Sequence, residues 1–393
     1  MNLLRLFATA ALVALLFTSL AVPNAHATPI SATVLGYDLV KVGNPGNAAD
    51  TTGYGAVGTV GGSDYWIGKN HVTIGQYRDF LTAVATLEDP RGLWNANMNS
   101  DQRIRGIQRT GSAGAWVYTV VGPNGTNPAG AQSAANRPIT NVNWFDSARF
   151  ANWMANGKPS VTGTGSAALA VIDNGAYNLG TATSGTAPAK NTTNPNTGAA
   201  PTFSIPTENE WYKAAYFNPV KGGPGTPGYY AYGTQSDTAP GNGGTSPATA
   251  LANKDLANQA NYRPSDRYAV VGTTTFISDT GNQNVLTDVG TFTNSASYYG
   301  AFDMSGNVFA WNDLDGTTGP SRGRRGGNFG DFFASGLSSS SRFTLTPVSE
   351  SGGIGFRLVS PVPEPASLGL AAAGGPATLG WTMLRRRSPR ATS

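Results

Sequence analysis

A chain of 393 residues, 39% of them apolar, is long enough for one large domain or two small ones with a real core. Charged residues make up only 12% and glycine numbers 51, a balance that excludes a helical bundle and suits the loop-rich surface of an exported protein. Cysteine is absent, which excludes disulfides, thiolate metal sites and a thiol nucleophile, and His26 and His71 alone cannot assemble a histidine zinc cluster.

Residues 1–27 carry one basic residue, Arg5, then an apolar run from Leu6 to Val22 and the small-x-small sequence Ala25-His26-Ala27. This is the pattern of a secretory signal peptide; a membrane anchor is the competing reading, against which the short run and the processing signature both count. Residues 28–61 are rich in Gly, Thr and Val and predict short N-terminal strands. Thr73, with Gln76 three residues on, forms a capping box ahead of a helix that places Tyr77, Phe80, Leu81 and Val84 on one face. His71, just before it, reads as a surface or strand-end residue. Within 138–154 a second helix is expected, capped by Asn143, with Asp146 near its positive end and Trp144, Phe150 and Trp153 in the core.

The Gly/Thr/Ala/Asn/Pro stretch 156–202 predicts a long, partly mobile loop with one short strand around Tyr177-Asn178-Leu179. Thr207 and Glu210 form another capping box, opening a helix whose Trp211, Ala214 and Ala215 face inward. Glu208 and Glu210 are two apart, so they point to different faces, and Glu210 serves the cap; the pair reads as structural rather than as an acid and base. Residues 219–250 return to Gly/Pro-rich loop.

The stretch 299–313, YGAFDMSGNVFAWND, alternates turn residues with large apolar ones. Gly300, Gly306 and Asn307 bend the backbone, while Phe302, Met304, Val308, Phe309 and Trp311 supply burial, about 1.5–3 kcal/mol for each side chain removed from water. A buried irregular backbone survives only if its polar groups find partners, so a side-chain amide or a cation is expected there.

Three ordered motifs follow: Gly306-Asn307-Val308-Phe309-Ala310-Trp311, Arg325-Gly326-Gly327-Asn328-Phe329 and Gly355-Phe356-Arg357. They resemble GNVWEW, RGGSW and GFR of the formylglycine-generating enzyme (sulfatase-modifying factor) family. Upstream, Tyr65-Trp66-Ile67-Gly68, Val72-Thr73, Arg137-Pro138-Ile139 and the run 205–211 extend the resemblance over 62–359. It implies an α+β, C-type-lectin-like fold, loop-rich, with a few short helices packed on short antiparallel sheets.

Past that domain, Val362-Pro363-Glu364-Pro365 precedes a small and apolar run, 366–384, and then Arg385-Arg386-Arg387. The segment 360–393 resembles the PEP-CTERM sorting signal of exported bacterial proteins, cut near the motif by a membrane protease. Independently, the run is just long enough to span a bilayer and the arginines would hold its end in the cytoplasm. An ordinary C-terminal transmembrane helix is the alternative. The formal charge of +4 comes from these ends: of 26 basic residues, Arg5, Arg385, Arg386, Arg387 and Arg390 lie there, leaving 21 against 22 acidic and a net of −1. Nucleic acid is therefore not an expected partner.

The resemblance also sets expectations for chemistry. The family's oxidases hold copper with two cysteines shortly after the RGGS-aromatic motif, and alignment puts Asp331 and Gly336 there. Without thiolates no copper(I) site is expected. Calcium in the family is held near the Asn and Glu of GNVWEW; here Asn307 and the Val308 carbonyl remain, but Ala310 replaces the glutamate. The family's other calcium site maps onto Asn261 and Tyr262, with Asp279 as its carboxylate. Trp311, Asn328, Asp331 and Arg342 are the ligand-binding candidates, for a saccharide or peptide. The favoured function is an exported, cell-surface or matrix-associated, non-catalytic binding protein, handled in transit by signal peptidase and the sorting protease. The alternative is an oxidoreductase of the same family with cysteine-independent metal chemistry.

Intact-mass measurement of protein from the native host is expected to give a species beginning at Thr28 and ending near Glu364 or Pro365. A mature form that keeps Arg385 to Arg387 would make the tail a lasting anchor.

Overall fold

The computed structural model describes residues 29–52, 56–122, 134–242, 253–264, 267–268, 277–278 and 285–361. The expected signal peptide and the sorting segment from residue 362 onward lie outside them. Among the described residues no helix is long and apolar enough to cross a membrane.

Alternating apolar residues make the Tyr37–Val42 strand a core strand, and Leu35 and Gly36, both at positive φ, turn the chain back onto it from Ser31–Val34. Its other edge pairs antiparallel with Tyr65–Gly68, which pairs in turn with Val359–Ser360 near the end of the domain. The N-terminal strand region is thus built into the same sheet as the last strand. A second sheet runs in the order Phe343–Leu345, Arg322–Arg325, Phe309–Asn312, Ile354–Gly355; its first two pairings are antiparallel and the last is parallel. Helices are few, and the whole is the mixed helix and short-sheet α+β fold that the motifs imply.

The Ile74–Val84 and Glu208–Tyr216 helices both open with the expected capping boxes. So does Trp144–Ala155, where Asn143 and Asp146 bond reciprocally. Phe80 meets Phe150 edge to face and Trp153 at a tilt across the first and second of the long helices, and Phe356 of the C-terminal motif joins Phe150 edge to face.

Every residue of Trp144–Ala155 is buried, polar ones included. What covers it is the stretch 156–202, which is more ordered than its composition suggests. Leu169, Ile172, Tyr177 and Ala187 are buried, and the helical turns Gly165–Ala168 and Ala170–Asp173 lie within it. The physical reason is polar: Arg149 donates to Asp173 and to the carbonyls of Gly180 and Ala182, and Asn152 donates to those of Ile172 and Tyr177. Side-chain donors on the helix thereby satisfy an irregular backbone that apolar contact alone could not hold.

His71 is likewise not a surface residue. It is 1% exposed, and its Nδ1 lies 3.2 Å from the guanidinium of Arg357, which also donates to the carbonyls of Gly68 and Phe302. Burial, and then the Arg357 charge, hold the imidazole pKa well below its usual value.

Asp313 ties the second sheet to the helical layer. Fully buried, it accepts from the Trp144 indole at 2.8 Å and from the Tyr177 hydroxyl, and Arg322 Nε lies 3.1 Å away. Removing it would leave the buried Arg322 charge and two buried donors without their acceptor. Asp313→Ala is expected to cost about 3–5 kcal/mol in denaturant unfolding; a loss below 1 kcal/mol would show that the knot contributes little.

Candidate functional site

The strand pairing that builds the second sheet also builds a polar groove. Cross-strand partners share a face, so Arg324 stands beside Phe343 on one neighbour and Trp311 on the other, with Phe309 diagonal to it. Its guanidinium lies 4.2 Å from the Phe309 ring centre and 5.2 Å from that of Phe343. Arg325, one residue on, points to the opposite face, where it meets Glu208.

Beyond the strand the chain turns tightly. Asn328 N–H donates to Asp331 Oδ2 at 2.7 Å, Gly330 N–H donates to Asn328 Oδ1 at 2.7 Å, and Arg263 N–H donates to the Asp331 carbonyl at 2.9 Å. Together with Arg103, Gly353 and the Phe343 ring these residues line a groove of about 450 Å³. Burial pushes the Asp331 carboxyl above the usual carboxylate range, while the Asn328 N–H and the Arg324 charge pull it back. Two glycines leave the room: a Cβ at Gly353 would collide with the Asn328 amide, and one at Gly336 would sit 3.1 Å from Asp331 Cγ.

That last distance makes Asp331 and Gly336 spatial neighbours. They are the positions aligned with the oxidases' cysteines, and they now offer one hard carboxylate and no side chain. The donor set does not fit copper(I), which wants thiolates. Among the described residues no group of three His, Cys, Asp or Glu could hold a metal ion.

The four ligand candidates do not share one place. Asn328 and Asp331 line the groove. Arg342 lies on a separate cleft of about 410 Å³, with Glu208, Arg325 and the 314–322 loop, and gives two donors to Glu208. Trp311 is 0% exposed and donates its indole N–H to the Val142 carbonyl, a core position with no surface for a ligand. Sequence reading passed over Arg324 and Phe343, because nothing local in Arg322-Gly323-Arg324-Arg325 says which arginine faces a groove.

The calcium candidates are reordered as well. Asn261 and Asn307 belong to one cluster: Asn261 Nδ2 donates to Asn307 Oδ1 and to the Val285 carbonyl, and the Asn307 N–H donates to the Asn261 carbonyl. Asn307, at φ +63°, also accepts from Thr287 N–H and donates to the Thr287 carbonyl. Its amide oxygen therefore already accepts from two protein donors, and Ala310 brings no charge. Calcium prefers about six to eight oxygens, several of them anionic, so the Asn307 and Val308 position does not fit it. Val308 packs with Ile104, Val285, Leu286 and Phe329 instead. Asn261 Oδ1, buried and with no partner among the described residues, is the amide oxygen left over. Tyr262 donates its hydroxyl to the Pro240 carbonyl, and Asp279 lies outside the described residues.

The family profile of the sulfatase-modifying factor enzyme 1-like domain matches residues 36–362. The chain therefore belongs to that family. No curated protein matches. Among solved structures, Treponema denticola variable protein 1 is similar, at 18% identity and TM-score 0.43 over 86% of this chain and 100% of that one. CarF is similar at 20% identity and TM-score 0.39, over 84% and 100% of the two chains. PvdO from Pseudomonas aeruginosa is similar at 15% and 0.40, over 85% and 98%.

Replacing Asn307 removes buried hydrogen bonds and puts a residue with a Cβ but no local bond at positive φ. Asn307→Ala is expected to lower stability by about 2–4 kcal/mol. The loss should be equal in excess calcium and in chelator; a loss seen only in calcium would place the ion at Asn307 after all.

Proposed function

We propose that this protein is an exported, non-catalytic binding protein that uses the family scaffold to present the Asn328–Asp331 groove at the cell surface or in the extracellular matrix. The observation that carries this reading is the pair Asp331 and Gly336: adjacent in space where the oxidases align their cysteines, and without sulfur in a chain that has none. Converting a cysteine to formylglycine with oxygen needs a soft copper ligand pair, whereas a carboxylate and an arginine that line one groove without pairing are open to a polar ligand. Export follows from the expected leader, and release at the surface from the expected sorting tail. Calcium belongs to the proposal only as a structural ion at Asn261, Tyr262 and Asp279.

Two measurements test it. Incubated with a sulfatase-type cysteine peptide, copper, oxygen and reductant, the purified protein is expected to form no aldehyde above a no-protein control by mass spectrometry. A screen of glycans and peptides is expected to return ligands whose binding falls with Asp331→Asn or Phe343→Ala. Aldehyde formation, or ligands indifferent to both substitutions, would overturn the reading.

A further inference from the structure

The arginines of this fold are mostly spoken for. Arg91 and Arg149 meet Asp173, Arg322 meets Asp313, Arg325 and Arg342 meet Glu208, and Arg357 meets the carbonyls of Gly68 and Phe302. Arg324 differs. Its Nε is buried without an acceptor, as are those of Arg322 and Arg357, but among the described residues its guanidinium has neither a hydrogen-bonded carbonyl nor a carboxylate within ion-pair distance, and Asp331 acts on it only through space. It is nonetheless held in place against the Phe309 and Phe343 rings, which pack edge to face on one another.

A guanidinium fixed by stacking, open to a groove and lacking an anion, has already lost the side-chain freedom that binding would otherwise cost. Its planar fork matches a carboxylate, which can accept two parallel N–H bonds. Arg324 shares the groove with Asp331, while Arg103 and Asp101, at 3.7 Å, offset one another along its lining. Resting on the groove reading above, we infer that Arg324 is an oxyanion anchor and that the groove takes a sugar acid, a carboxylate carried on a hydroxylated ring.

The rest of the lining favours that class over an acidic peptide. Asp331 accepts hydroxyl protons but repels a second carboxylate, and the Asn328 amide nitrogen stands close to Gly353 at the same wall. Phe309 is buried against Arg324, whereas Phe343 remains 38% exposed and offers an apolar face to a sugar ring. The volume of about 450 Å³ lies within the range of small-ligand sites.

Titration calorimetry or saturation-transfer NMR on the full chain tests this with sodium D-glucuronate, D-glucose and N-acetylglutamate amide as probes. Glucuronate is expected to bind and glucose to bind far more weakly. Arg324→Met, which keeps the stem against Phe309, should weaken glucuronate by about tenfold or more. Arg324→Lys, which keeps the charge without the fork, should fall between. Thermal unfolding of each variant shows that the fold is retained. Equal binding of glucose and glucuronate, or glucuronate binding indifferent to Arg324→Met, overturns the anchor. N-acetylglutamate amide binding through Arg324 while glucuronate stays silent overturns the sugar assignment. If ligand binding responds to Asp331→Asn and Phe343→Ala but not to Arg324→Met, the groove stands and the anchor fails. If it responds to none of the three, the groove reading fails with it.

Discussion

The structure depends on satisfying a polar backbone inside an apolar core. The segment 299–313 is nearly all buried, and within it only Phe309–Asn312 forms a strand. Such a path is unstable unless each N–H and C=O meets a partner, since an unpaired buried group costs about 1–3 kcal/mol. Partners arrive from distant parts of the chain. Asn307 joins Asn261 and Thr287, Arg357 caps the Phe302 carbonyl, and Asp313 gathers Trp144, Tyr177 and Arg322. Because these bonds run between segments, the sheets and the helical layer are held in register by the same groups that keep the segment buried.

This has a chemical consequence for the metal sites that the family resemblance implies. Where a calcium ion would gather oxygens around Asn307, an amide pair does the gathering, and Ala310 is accommodated because no charge needs an answer there. Where thiolates would hold copper, Asp331 meets the space above Gly336. The scaffold is retained while the soft ligands are gone, and what remains in the groove is one stacked cation, one partly buried carboxylate and an amide.

Much of the fold was legible in the chain. Three helix starts were visible because capping is local: Thr73 and Gln76, Asn143 and Asp146, Thr207 and Glu210 lie three apart, and the hydrogen bonds follow from the spacing. The ordered motifs were equally legible, since Gly306 and Gly326 mark backbone that must take positive φ. The misreadings share one cause. His71 looked like a strand-end residue, and 156–202 looked like a loop too polar to bury, because their partners, Arg357 in one case and Arg149 and Asn152 in the other, lie far away in sequence.

By itself, then, the sequence determined the family scaffold, the helix starts, the buried turn at 299–313 and the loss of cysteine chemistry, because each is a matter of local spacing or of composition. Only the tertiary structure decided which side chains share a site. It put Trp311 in the core, sent Arg342 to Glu208 on another cleft, merged Asn261 with Asn307, and placed Arg324 against two phenylalanines in the groove that Asp331 lines. Which face an arginine takes depends on strand register and on pairing between segments remote in sequence, and no window along the chain contains that information.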